Sequence, residues 1–170
     1  MNPDRYQLFV DLDGVLADFD AGVRRATGSD PSEWHPRVMW PLLARTPGFY
    51  DSLDWTADGR LLWDAVRGFG PVILTGLPLG KWAEPQKRSW CSRELGEDVP
   101  VITGLSRHKA ELAAAWLYGN GLGEKTPVLV DDRLKQKEDW EAAGGRFVLH
   151  LDAPSSITAL TELGFPMAPD

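Results

Sequence analysis

"GPVILTGLPLGKWAEPQKRSWCSRELGEDVPVITG", residues 70–104, decides the fold. Residues 70–76 form a short apolar, β-branched run bounded by glycines, which reads as a buried strand. Residues 99–104, "VPVITG", read the same way. Residues 82–96 between them predict a helix that starts late or kinks at Pro85 and ends at Gly96. Strand, helix and strand at this spacing make a parallel pair joined by a right-handed crossover.

The pattern repeats downstream. "SRHKAELAAAWLYGNG" (106–121) predicts a helix with Ser106 as N-cap and Gly119 near its end. "TPVLVDD" (126–132) is a third apolar run, and helices at 134–145 and 153–164 flank a strand at 146–151. With "YQLFVD" (6–11) at the front, the expected fold is α/β: a three-layer Rossmann-like core around a five-stranded parallel sheet. Trp63, Trp90, Trp116 and Trp140 fall at amphipathic positions and are expected in the core.

Residues 14–56 break the rhythm. "LADFDAGVRRATG" (16–28) predicts a helix with Leu16, Phe19, Val23 and Ala26 on one stripe. The stretch after it is rich in proline and aromatic residues, too long for a plain loop and too aromatic for disorder. It reads as a small, mostly helical cap inserted after the first strand, so that 1–13 and 57–170 form the core and 14–56 the insertion. Trp34, Trp40, Phe49 and Tyr50 serve either as the insertion's own core or as rings offered to a ligand.

Composition narrows the function. The 170 residues carry 18 basic and 25 acidic side chains, a net charge of −7, which repels a long nucleic acid. A small phosphorylated ligand stays compatible, because local cations or a bound metal reverse the sign inside a cleft. One cysteine, Cys91, excludes an internal disulfide and fits a reducing compartment. No run approaches the ~18 apolar residues of a membrane span, and the first ten residues lack the apolar segment of an export signal. The expectation is a cytoplasmic protein without membrane or polymeric nucleic-acid partners. Oligomeric state is not legible.

In such sheets chemistry sits beyond the carboxyl ends of the strands. The expected ends are Asp11, Thr75, Thr103 and Asp131. Asp13 by itself reads as a helix cap, but "VDLDG" puts two carboxylates where one would do, and "VLVDDR" supplies a second pair, Asp131 and Asp132. Mg²⁺ takes carboxylate and carbonyl oxygens and would make four acids around one point sensible. Gly14 lets the backbone turn sharply beside them. Thr75 is a candidate hydroxyl donor to a phosphoryl oxygen. Lys109, in the first turn of its helix, opposes the macrodipole, as a solvated surface lysine or as part of an anion site. Lys81 is its rival. His35, His108 and His150 show no metal-ligand spacing, and Cys91 has no activating neighbours.

Taken in order, "FVDLDGVLADF", "VILTG", the helix-start Lys109 and "VLVDDR" resemble the motifs of the haloacid dehalogenase superfamily of phosphohydrolases. Within it, the "DGVLADF" wording and the place of the insertion are similar to the 5′(3′)-deoxyribonucleotidase-like group. The resemblance implies that Asp11 is the nucleophile forming an aspartyl-phosphate and that Asp13 protonates the leaving oxygen and then activates water. It implies that Thr75 and Lys109 hold the phosphoryl group. Mg²⁺ would lie on Asp11, the carbonyl of Asp13 and one or both of Asp131 and Asp132. Gly76, Lys81, Trp40 and Arg133 are candidate substrate contacts.

The expected function is thus a Mg²⁺-dependent phosphatase (phosphoric monoester hydrolase) acting on a small phosphorylated metabolite, a nucleoside monophosphate among the candidates. A non-catalytic phosphate- or nucleotide-binding regulatory domain, a sugar phosphatase and a phosphomutase of the same fold are the alternatives.

Overall fold

Side chains along the strands alternate between two buried faces. In the computed structural model, which describes residues 3–167, five strands form one parallel sheet: β1 (Tyr6–Val10), β2 (Val72–Gly76), β3 (Val101–Gly104), β4 (Thr126–Asp131) and β5 (Arg146–Leu149). The outermost residues of the expected core, 1–2 and 168–170, lie outside that range. Leu8, Val10, Ile73, Val128, Val130 and Val148 join one apolar cluster, and Phe9, Val72, Leu74 and Leu129 join the other. A sheet covered on both faces needs near-continuous apolar strands, and these runs supply them.

Among the described residues seven α-helices accompany the sheet: α1 (Phe19–Thr27), α2 (Pro36–Arg45), α3 (Gly59–Val66), α4 (Ala83–Glu94), α5 (Lys109–Gly119), α6 (Lys137–Ala142) and α7 (Ala153–Leu163). The first cluster takes Trp63 of α3, Trp90 of α4 and Leu160 of α7, while the second takes Ala113 and Leu117 of α5 and Trp140 of α6. The result is a three-layer α/β fold. Of the tryptophans expected in the core, Trp63, Trp90 and Trp140 are buried, whereas Trp116 is half-buried with its ring nearly perpendicular to that of Phe9.

Strand order is β3-β2-β1-β4-β5. The chain winds outward from β1 through β2 to β3, then returns across to β4 beside β1. The reversal opens a crevice between β1 and β4 at their carboxyl ends, where ligands bind in sheets of this kind. Asp11 N–H donates to Val130 O at 2.9 Å, which carries the β1–β4 pairing one residue past the strand.

Local chemistry corrects several expected boundaries. The helix expected over 16–28 begins only at Phe19. Leu16 and Ala17 N–H both donate to Leu12 O, folding 12–17 into a tight loop, and Asp18 then caps α1 by accepting from Ala21 N–H. Pro85 does not kink α4, because it lies in the first turn, where no intrahelical donor is lost. Ser106 is not the cap of α5. It opens a 3-10 turn (Ser106–His108) whose termini carry no side-chain cap, and the α-helix proper starts at Lys109. A second 3-10 turn (Leu134–Gln136) shortens α6 relative to 134–145.

Between β1 and α3 the chain carries α1, α2 and an aromatic turn. Phe49 and Tyr50 are buried, so they form apolar core there. This turn is tied to α4: Tyr50 N–H donates to Gln86 Oε1 (2.9 Å), Trp90 Nε1 to Leu53 O (2.8 Å) and Trp55 Nε1 to Glu94 Oε2 (2.7 Å). Arg93 adds an ion pair to Asp51 at 2.8 Å.

Phe9 shows how much the central strand rests on packing. Fully buried, it meets Trp116 and Trp140 edge to face, each with centroids 5.9 Å apart. Phe9→Ala is expected to cost about 3–5 kcal/mol in urea-induced unfolding. A loss below about 1 kcal/mol would show that the neighbouring rings collapse into the space.

Candidate functional site

Three carboxylates from the β1–β4 crevice converge. Asp11, Asp131 and Asp132 each offer an oxygen, all within 4.8 Å of one another. Asp11 and Asp131 are buried and Asp132 is exposed. Bringing them together requires glycine at 14: its φ is +76°, and a Cβ there would lie 2.3 Å from Asp132 Oδ2. A side chain at this position would suffer backbone strain and push the second acid pair away from the first.

Two buried lysines answer the acids. Lys109 Nζ bridges Asp11 Oδ1 at 2.9 Å and Asp131 Oδ2 at 2.6 Å. It stands at the start of α5 because its charge is wanted by these carboxylates, not by solvent, and it is 3% exposed. Burial works against its charge, but Asp11 and Asp131 outweigh that and raise its pKa. The remaining oxygen of Asp131 accepts from Arg133 N–H at 2.8 Å.

Lys87 is the second cation, and sequence reading passed over it. It is completely buried in α4, and its Nζ reaches Asp13 Oδ2 (2.6 Å), Thr75 Oγ1 (2.9 Å) and Gly76 O (2.7 Å). Its ammonium also sits over the Tyr50 ring, 4.4 Å from the centroid. Because Thr75 accepts from Lys87, its own hydroxyl hydrogen is left to donate elsewhere. The signal was present: Ala83, Lys87, Trp90 and Cys91 are the buried residues of α4. A lysine on such a stripe needs an acid from another element.

The acids are not equivalent. Burial raises the pKa of Asp13, Lys87 lowers it, Asp11 raises it, and the net shift is upward. Its Oδ1, the oxygen Lys87 does not hold, is buried without a partner among the described residues. Burial, with Asp11 pushing the same way, also raises Asp131 against the pull of Lys109. Asp132 is exposed as a residue, but its carboxyl is turned in enough to lose part of its water, and that desolvation, followed by the charges of Asp11 and Asp131, pushes it up to about 7. Carboxylate oxygens from Asp11, Asp131 and Asp132 gathered within 4.8 Å of one another are a donor set that suits a divalent cation, and hard oxygen ligands suit Mg²⁺. Asp11, Asp131 and Asp132 would hold it.

Other expected residues fall in different places. Trp40, Gly76 and Arg133 line a cleft of about 940 Å³ that opens from Asp11, Asp13 and Asp132. Gly76 has no room for a side chain: a Cβ would stand 2.1 Å from Ser106 Oγ. Lys81, the rival candidate for phosphate, lies apart from the acids. It is exposed in the loop before α4 and does not line the cleft, whereas Lys109 is buried among the acids. Thr103 also stands apart, donating to Glu84 Oε1 at 2.8 Å. His150 is buried with Nδ1 2.8 Å from Ser156 Oγ, and burial pushes the Cys91 thiol up to about 12, as befits an inert sulfur.

No protein-family model matches the sequence, and no curated protein matches it. Among solved structures the chain is similar to a haloacid dehalogenase-like family hydrolase from Xanthomonas campestris, at 15% identity and a TM-score of 0.57, over 94% of this chain and 92% of that one. It is similar also to a HAD-superfamily hydrolase of subfamily IA from Geobacter sulfurreducens PCA, at 16% identity and a TM-score of 0.50, over 85% and 87% of the two chains. At such identities the likeness is one of architecture, and it extends over nearly the whole chain: the protein has the fold of haloacid dehalogenase-type hydrolases.

Proposed function

We propose that the protein is a Mg²⁺-dependent phosphatase that hydrolyses a small phosphomonoester through an aspartyl-phosphate on Asp11. The observation that carries this reading is the meeting of Asp11, Asp131 and Asp132 within 4.8 Å, beside Asp13 and two buried lysines, at the carboxyl end of the sheet. Its fold, shared with hydrolases of the haloacid dehalogenase type, supports it.

The roles follow from surroundings. Asp11 presents its carboxylate at the cleft's inner end and attacks phosphorus, displacing the alcohol. Asp13, whose pKa is raised, gives its proton to the departing oxygen and then takes one from the water that hydrolyses the acyl phosphate. Lys87 holds one Asp13 oxygen and leaves the unpartnered one as the proton carrier. Thr75 donates its free hydroxyl hydrogen to a phosphoryl oxygen, and Lys109 steadies Asp11 and Asp131 against their mutual repulsion. Mg²⁺, when bound, supplies positive charge to the equatorial phosphoryl oxygens. The half-buried Trp40 at the cleft wall is consistent with a nucleoside monophosphate as the finer identity of the substrate.

Three measurements test this. Asp11→Asn is expected to lower Mg²⁺-dependent phosphate release from an aryl phosphate at least about 1000-fold, and retained turnover would remove Asp11 as nucleophile. In Lys87→Met, Asp13 loses the cation that lowers its pKa. The alkaline limb of kcat/KM then moves to higher pH, and the rate drops about 10- to 100-fold. An unshifted limb would leave Lys87 a packing role only. Asp132 must shed its proton before it can hold a cation. Its pKa of about 7 therefore makes Mg²⁺ affinity climb with pH up to about 7 and level off above it. Calorimetric titrations at several pH values check the sign, and an affinity flat from about pH 6 to 8 would speak against Asp132 as a ligand.

A further inference from the structure

Outside its acidic end the cleft changes character. Phe19, Met39 and Trp40 line it from the α1–α2 region, and Leu77, Leu79 and Trp82 from the loop after β2. Phe19, Trp40 and Trp82 are only half-buried, although Phe49 and Tyr50 beside them are covered. The buried rings fix the open ones: Phe19 lies 5.7 Å from both Trp40 and Phe49, and Tyr50 stacks on Trp82 at 5.3 Å. Lys87 and the Gln86 bond hold Tyr50 from below. The apolar surface is therefore formed in advance, and little ordering cost falls on a ligand that meets it.

Equally informative is what that surface lacks. Asn, Gln, Thr and His, the uncharged side chains suited to reading the edge of a ring, do not line the cleft among the described residues. Its polar groups beyond the acids of the inner end are the side chains of Asp20 and Arg37, both exposed to water, Ser106 near Gly76, Arg133 beside Asp132, the buried Tyr50, and the indole N–H groups of Trp40 and Trp82. Trp82 Nε1–H is already engaged by Leu79 O at 3.2 Å. Stacking tolerates any flat π-face, whereas a hydroxyl-rich sugar would lose water against the apolar wall of Phe19, Met39, Trp40, Leu77 and Leu79 and gain few partners there.

Resting on the phosphatase reading above, we propose that this cleft selects its ester by stacking a flat ring of the alcohol portion and is blind to the hydrogen-bonding pattern on that ring's edge. The substrate class is monophosphates that carry an aromatic group, whether purine, pyrimidine or plain arene, and hexose phosphates fall outside it. Apolar contact separates related ligands by roughly 10- to 200-fold, while hydrogen-bond readout reaches 10⁴-fold or more, so the purine and pyrimidine esters are not sharply separated.

The test uses binding, which does not depend on turnover. The full-length Asp11→Asn protein is titrated calorimetrically, with Mg²⁺ present, against naphthylethyl phosphate, purine and pyrimidine nucleoside monophosphates, a hexose phosphate and inorganic phosphate. The ring-bearing esters are expected within about 10-fold of one another and at least about 10-fold tighter than hexose phosphate or inorganic phosphate. Adding Trp40→Ala erases that advantage, and Trp40→Phe keeps it within about threefold. Leu79→Ser, at a position 87% exposed and therefore harmless to folding, is expected to weaken ring-bearing esters alone. A single base preferred by more than about 100-fold, or hexose phosphate bound as tightly as the arene, overturns the proposal. Absence of Mg²⁺-dependent phosphate release from every ester by the unaltered protein would instead sink the phosphatase reading, with ring selectivity still judged on binding.

Discussion

Repulsion among carboxylates in the crevice between β1 and β4 is the constraint that the rest of the structure serves. Asp11 follows β1 and Asp131 ends β4, and the ladder that makes these strands neighbours also forces their acids together. Uncompensated charge there would be costly, so the fold brings a lysine to each side. Lys109 comes from the helix after β3 and Lys87 from the helix after β2. Each cation thus depends on a crossover, and the site exists only when the whole sheet is wound.

The same arrangement gives each acid different surroundings. Lys109 takes one oxygen each from Asp11 and Asp131, which fixes them without covering them completely. Lys87 takes one oxygen of Asp13 and leaves the other buried, without a partner among the described residues. Asp132 is the most open of the group, and Gly14 gives it room to approach. Unlike surroundings of this kind are what the proposed roles of nucleophile, proton carrier and ligand require. The segment between β1 and α3 meets the inner site through Tyr50, which packs against Phe49 and lies under the Lys87 ammonium.

Much of this was legible because it is written in local patterns. The five apolar runs, the glycines at their ends and the strand-end acids Asp11, Asp13, Asp131 and Asp132 are short-range signals, and the strands lie within a residue or two of where those signals put them. Helix starts were less legible. Ser106 has the right chemistry for a cap, yet the backbone takes a 3-10 turn there and its hydroxyl lies against Gly76. Lys81 and Lys87 were harder still. By linear distance from Thr75, Lys81 looks better placed, but the rise of α4 turns Lys87 inward and leaves Lys81 in solvent.

By itself, the sequence determined the alternation of strand and helix, the five strands of the sheet and the identity of the acids at their ends, since periodicity and turn chemistry act over a few residues. Tertiary structure alone decided which cation meets which acid, which aromatic rings stay open to the cleft and which are sealed beneath it. Those outcomes depend on contacts between residues 22 to 74 positions apart, such as Lys109 with Asp131 and Lys87 with Asp13, and pairing over such distances is set by packing and desolvation rather than by neighbours in the chain.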